Sequence, residues 1–237
     1  MIRATWLLHR TAVLSLLGIA AVVCTALVLD GFGAGAPYAS TAKSAEATAE
    51  SPTFAFNVKH ALQAVLVALP CLLGVFGAAP LLGQEAELGT LRLAWTQSAT
   101  RGRWTLVTLG LTLGAAAAAA AVVAGAASWW AGQWAPWDDS GMWGEFDRLG
   151  PAFVAYTAFA VAAGLALAAV TGRTLPAMIL TLFAYIGPRL LVEVALRPLY
   201  QPASMFWLFQ GIEAAIFLAC AAILMAVAAW WLTRRFA

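Results

Sequence analysis

Charge is what this 237-residue chain has least of. Charged residues make up only 10% of it, against 63% hydrophobic, where soluble domains carry roughly 25% charged residues. The deficit, with a mean hydropathy of +0.85, excludes an ordinary soluble domain and implies an integral membrane protein. A formal net charge of +2 and the lack of long basic runs argue against a nucleic-acid partner. Cysteine is scarce as well. Cys24, Cys71 and Cys220 stand alone in apolar runs without metal-ligand spacing, so they read as buried free thiols rather than a disulfide or zinc site. No G-x-x-x-x-G-K-[ST], no H-E-x-x-H and no Cys/His cluster occurs, which removes a phosphate-cradling loop and a zinc peptidase site. His9 and His60 fall at opposite membrane faces in the topology below and cannot share a site.

What the chain does have is long apolar runs. About 20 apolar residues cross ~30 Å of hydrocarbon as a helix, and six segments qualify: 11–29, 61–82, 106–130, 153–170, 175–191 and 207–232. The first exceeds the usual 7–15 residues of a secretory signal core and is expected to be a retained span. The expected fold is an all-α polytopic membrane protein forming one transmembrane domain over 1–237. Basic residues orient it. With both termini cytoplasmic, Arg3, Arg10, Arg92, Arg101, Arg103, Arg173, Arg234 and Arg235 lie inside. Lys43, Lys59, Arg148, Arg189 and Arg197 then lie outside, with Asp138, Asp139, Glu145 and Asp147 crowding one outer loop. The expected outer loops are 30–60, 131–152 and 192–206. Between Trp129 and Gly150, Trp129, Trp130, Trp134, Trp137 and Trp143 mark an interfacial belt, with a substrate gate as the alternative. Gly110/Gly114 and Gly164/Ala168 have the small-xxx-small spacing that brings helix backbones close in lipid, although alanine-rich coding bias explains the Ala run after Gly114 equally well.

Few charges fall inside the spans. Arg189, Glu193 and Arg197, spaced i, i+4, i+8, are expected on one helix face, pairing with each other as a structural or outer-gate cluster. Glu213, one turn after Gln210, is an acid inside the last span that needs a partner. Arg189 or Arg197 is the expected one, and a hydrated cavity is the alternative. Neither a mid-membrane acid nor a broken-helix pair of the kind that ion-coupled carriers use is evident.

The connector 84–104 is a polar and basic island between two apolar runs. Glu85 and Glu87 open it and Arg92, Arg101 and Arg103 close it, an order that complements a helix dipole. Leu88, Leu91, Leu93 and Trp95 supply apolar surface, and Gly89-Thr90 can end one helix and cap the next. A short interfacial helix lying on the membrane face without any partner fits the same pattern.

The run from Glu85 through Glu87-Leu88-Gly89-Thr90-Leu91-Arg92 and Trp95-Thr96-Gln97-Ser98 to Thr100-Arg101-Gly102-Arg103-Trp104 resembles the E-x-E-x-G-T-x-R-x-A-x-T-Q-S-x-T-R-x-R-W signature of actinobacterial type-2 ATP-binding-cassette permeases. Arg197-Pro198-Leu199-Tyr200 is similar to an R-P-x-Y pattern in that family's outer loop. The resemblance implies a permease subunit of an ATP-driven exporter for a hydrophobic or amphipathic compound such as an antibiotic, peptide or lipid. It implies a coupling helix between spans two and three, formed by Glu85, Glu87, Gly89, Thr90, Arg92, Trp95, Thr96, Gln97 and Arg101. That helix would dock a separate ATPase subunit, and the permease would pair with a second copy of itself or a related permease. No cofactor is expected in this chain, since ATP and Mg would be bound by the ATPase partner, and no catalytic residue is expected. Two other readings stay open. One is a non-transporting scaffold or signalling partner that recruits a soluble protein through the same connector, and the other is an ATP-independent channel or carrier.

Overall fold

A computed structural model describes residues 2–33, 53–89, 101–134, 144–197 and 205–235. Among these there is no strand. Six helical stretches are long and apolar enough to cross a membrane: Leu14–Phe32, Asn57–Glu87, Gly102–Gln133, Gly150–Thr171, Thr174–Leu196 and Phe206–Arg234. The elements are α1 (Ile2–Gly33), α2 (Thr53–Leu72), α3 (Ala79–Glu87), α4 (Arg101–Trp134), α5 (Gly150–Thr171), α6 (Thr174–Leu191) and α7 (Phe206–Arg235). A π-helical turn, Leu73–Ala78, joins α2 to α3 within the second span, and another, Val192–Leu196, extends α6.

Both π turns start shortly after an intrahelical proline, Pro70 and Pro188. A proline removes one N–H from the helical ladder. In hydrocarbon no water can replace the lost bond, so the backbone re-pairs locally by winding wider. The sequence signal for each turn was a proline in an otherwise apolar run.

The helix at the centre is α5. It is apolar all round, and a helix of that kind belongs in a core. Of its membrane-length window 83% is buried, against 22% for α6 and 28% for α7. It packs against α7, α4, α6, α2, α3 and the first π turn, while α1 lies chiefly on α4. Small residues let the second span come close. A Cβ at Gly164 would meet the Gly74 carbonyl oxygen at 2.5 Å, and one at Gly74 would meet the Ala160 carbonyl oxygen at 2.5 Å. Gly164 and Ala168 thus work as a close-packing surface, with Ala168 fully buried. Gly110 and Gly114 instead lie on an exposed face of α4 with no heavy atom within 4 Å of an added Cβ. The cysteines are free and half-buried, less enclosed than expected.

The helices alternate in direction, so the bundle has two ends. One gathers the ends of α1, α4 and α6 with the starts of α2, α5 and α7. The other gathers the end of α3, the starts of α4 and α6, and the end of α7. Gly172, with φ of 64° in the left-handed region, makes the tight turn from α5 into α6 at the second end.

Candidate functional site

The connector expected over 84–104 begins and finishes inside the spans. Gln84–Glu87 is the last turn of α3 and Arg101–Trp104 is the first turn of α4. Leu88 donates its N–H to the Gln84 carbonyl at 2.9 Å, and Gly89, at φ 70°, ends the helix with its own N–H on the Ala86 carbonyl at 3.3 Å. Thr90, Arg92, Trp95, Thr96 and Gln97 lie outside the described residues, and for Arg101 the structure defines the backbone, as the first residue of α4.

The two acids that open the connector face different neighbours. Glu85 lines a groove of about 540 Å³ together with Ser15, Leu16, Phe76, Gln84 and Thr112. Glu87 reaches across to α6. Its Oε1 accepts the Thr174 N–H at 2.8 Å and its Oε2 accepts the Thr174 hydroxyl at 3.0 Å.

The opposite end holds a buried charge network. Asp147, on the segment before α5, accepts from Arg189 at 2.7 Å and is also paired with Arg197. The Arg197 Nε donates to Glu213 Oε1 at 3.1 Å, and the Tyr156 hydroxyl donates to the other oxygen of Glu213. Glu213 is 1% exposed and both arginines are 8% exposed. The Arg189 guanidinium lies 4.2 Å from the centre of the Tyr156 ring and that of Arg197 4.7 Å from the Phe146 ring, so each cation also meets an aromatic face. Gln210 completes the arrangement. It accepts the Ala152 N–H at 3.0 Å and donates to the Phe146 carbonyl at 2.6 Å.

This network corrects one expectation and bears out part of another. Arg189 and Arg197 do share a face and Arg197 is the partner of Glu213, but Glu193 is exposed and takes no part in the cluster. The physical reason is the π turn Val192–Leu196. A π turn holds an extra residue per turn, so a spacing of eight behaves as two α-turns and keeps both arginines inward. Val192, three residues after Arg189 and ahead of the widening, is the buried residue between them, and Glu193 is exposed. The acid that bridges the arginines is Asp147, expected among the acids that crowd the tryptophan-rich outer loop. A charge count could have found it, since two arginines buried near one acid require a second acid.

Electrostatics follow burial and pairing. Burial alone would push the Asp147 carboxyl up, but hydrogen bonds from Arg197 and the charge of Arg189 outweigh it and hold it below its ordinary value. Burial opposes the charge of Arg197, yet its bonds to Asp147 and Glu213 raise its affinity for the proton further. Glu145 goes the other way. Burial raises it despite Arg148 at 3.0 Å and a 2.7 Å hydrogen bond from Gln63.

Other contacts tie the remaining helices at this end. The Trp130 indole N–H donates to Asp30 at 2.8 Å, fastening α4 to α1. Trp130 is 1% exposed, so it is a buried, hydrogen-bonded residue and not a member of the expected belt, whereas Trp129 is partly exposed and stacks near Phe32 at 5.1 Å. Beside Arg189, a groove of about 410 Å³ opens between the second span and α6, lined by Val67, Ala68, Cys71, Tyr185 and Ile186. Among the described residues no group of three or more His, Cys, Asp or Glu is placed to hold a metal ion.

A lipid-spanning bundle with a polar connector at one end and a largely buried ionic network at the other defines the class as a multi-pass membrane protein. Its family can be stated further. A sequence model described as "ABC-2 membrane transporter related" matches residues 16–197, well over half of the chain. The chain belongs to that family, whose members are membrane permease components of ATP-binding-cassette transporters, generally non-catalytic, resident in the plasma membrane and generally dimeric with an ATPase partner. No curated protein and no solved structure matches the chain.

Proposed function

We propose that this chain is the membrane subunit of an ATP-driven exporter that moves a hydrophobic or amphipathic compound, such as an antibiotic, peptide or lipid. Two copies, or this chain and a related permease, form the path. A separate ATPase subunit, which binds the ATP and Mg, docks on the connector 84–104. Both termini and the connector face the cytoplasm. The observation that carries this reading is the position of the connector's flanks. Glu85, Glu87 and Gly89 leave the bundle at the same end as the start of α4, whose first turn carries Arg101 and Arg103 in sequence, and the α5–α6 turn. A basic surface at the mouth of the spans suits a charge-assisted contact with acids on a soluble partner. The apolar groove beside Arg189 suits cargo with a polar head and an apolar body.

The test is isolation of the tagged chain from its native membranes. An ATP-binding-cassette ATPase is expected to co-purify with the wild type and to be lost from the Arg92→Glu, Arg101→Glu double variant. Association that survives both charge reversals contradicts the role given to the connector, and a wild type that brings down no ATPase contradicts the reading itself. Cargo-stimulated ATP hydrolysis in proteoliposomes separates a permease from a scaffold. For sidedness, an Arg101→Cys thiol is expected to resist a membrane-impermeant maleimide in intact cells and to react after lysis.

A further inference from the structure

We infer that Glu87 is a positioning residue that yokes the start of the connector to the N-terminus of α6, so that force on the connector reaches α6 and its turn from α5 as well as the second span. The inference deepens the proposed function and rests on it.

Helix α6 begins without a cap of its own. The residue at its N-cap position is Arg173, in extended conformation (φ −139°, ψ 139°), and no side chain of its own segment caps the helix. The first amides of a helix have no partner within it, and serine, threonine, aspartate or asparagine normally supplies one. Here the acceptor comes from another helix. Glu87 takes both the N–H and the hydroxyl of Thr174. A carboxylate at the last position of α3 opposes that helix's own dipole, and the same charge favours the positive end of α6. The placement makes sense only for the pair.

Packing supports the polar link. Gly83 lies one turn before Glu87 on the same helix face, and a Cβ there would fall 2.8 Å from the Thr174 Cα. Two successive turns of α3 therefore bear on one residue of α6. The turn behind Thr174 is short and internally bonded. The Thr171 hydroxyl donates to the Leu167 carbonyl at 2.7 Å, and the same oxygen accepts the Arg173 N–H at 3.4 Å. A push on Glu87 is thus delivered to a compact hairpin rather than absorbed in a slack loop. Glu85 lines the groove with Ser15, Leu16 and Thr112.

A plain cap and a mechanical yoke are separable through Arg173. Arg173→Ser gives α6 a local cap, which stabilises the helix start without joining it to α3. The experiment reads amide hydrogen exchange in the permease–ATPase complex, with and without Mg and a non-hydrolysable ATP analogue. In the wild type, nucleotide is expected to alter protection both at 84–89 and at 174–177. Glu87→Ala is expected to retain the ATPase and to speed exchange of the Thr174 amide about tenfold, as loss of a cap does. In Glu87→Ala, Arg173→Ser the new hydroxyl protects the Leu175 amide instead, the Thr174 amide stays fast, and nucleotide then alters 84–89 alone. A response at 174–177 that persists in the double variant, or is missing from the wild type while 84–89 responds, overturns the yoke. Loss of the ATPase from Glu87→Ala overturns it too, by making Glu87 a docking contact. A wild type in which 84–89 ignores nucleotide instead contradicts the connector's role in the proposed function.

Discussion

The two ends of the bundle are held by different physics. At the Asp147 end, charges that are almost out of reach of water join the segment before α5 to α6, and the end of α6 to α7 and α5. At the Glu87 end, the contact between α3 and α6 is a carboxylate on a helix terminus, and Glu87 is exposed. A buried ion pair is hard to break because removing one partner strands the other in a low dielectric. An exposed cap is competed by water at every moment and yields at little cost. The difference predicts that the Asp147 end of the chain keeps its shape while the Glu87 end yields more readily.

Removing Arg197 should have the largest effect. Arg197→Ala takes the guanidinium from Glu213, which stays 1% exposed and is also bonded by the Tyr156 hydroxyl, and a loss of about 3–5 kcal/mol is expected. Thermal unfolding in detergent reads it, and a loss as small as that from Thr174→Val would erase the distinction between the ends. Next is the middle of the bundle. Gly164→Ala must push its new methyl against the Gly74 carbonyl and the Ala79 nitrogen at 3.0 Å, costing about 1–3 kcal/mol in the same assay. Thr174→Val removes the hydroxyl that Glu87 accepts but keeps the N–H, so a loss of no more than about 1 kcal/mol is expected.

The smallest effect is that of mild acid on the Asp147 pairing. A carboxyl held below its ordinary value stabilises the fold in full above that value and loses its contribution only as pH falls through the lowered one. The stability difference between wild type and Asp147→Asn should therefore stay constant from neutral pH down to mild acid and shrink only below about pH 4. A difference that fades near pH 6 would place Asp147 outside the network.

The division between what the chain discloses and what it hides follows from the range of each force. Hydropathy is local, so the six spans could be read directly, with ends displaced by a few residues where polar turns such as Gln84–Glu87 remain helical. The pairing of Arg197 with Glu213 was legible because a buried acid in lipid demands a base. Asp147 was not, because its partners lie 42 and 50 residues onward (189 − 147 and 197 − 147) and its own surroundings look solvated. The i, i+4 spacing alone did not place Glu193, because the packed face runs from Arg189 through Val192 and then across a wider turn to Arg197. The cap from Glu87 to Thr174 left one trace, an arginine where a capping residue normally stands. The Thr90–Gln97 part of the connector falls outside the described residues, and its role stands on resemblance.

Pulsed dipolar distances between spin labels test the contrast most directly. One pair, Gly144→Cys with Met205→Cys, sits on exposed positions at the Asp147 end, and the other, Leu88→Cys with Thr233→Cys, on exposed positions at the Glu87 end. Both are read within one protomer of the ATPase complex, with Cys24, Cys71 and Cys220 replaced. Binding of Mg and a non-hydrolysable ATP analogue should leave the first distance distribution unchanged and displace the second. A displaced first pair beside an unmoved second pair would contradict the account.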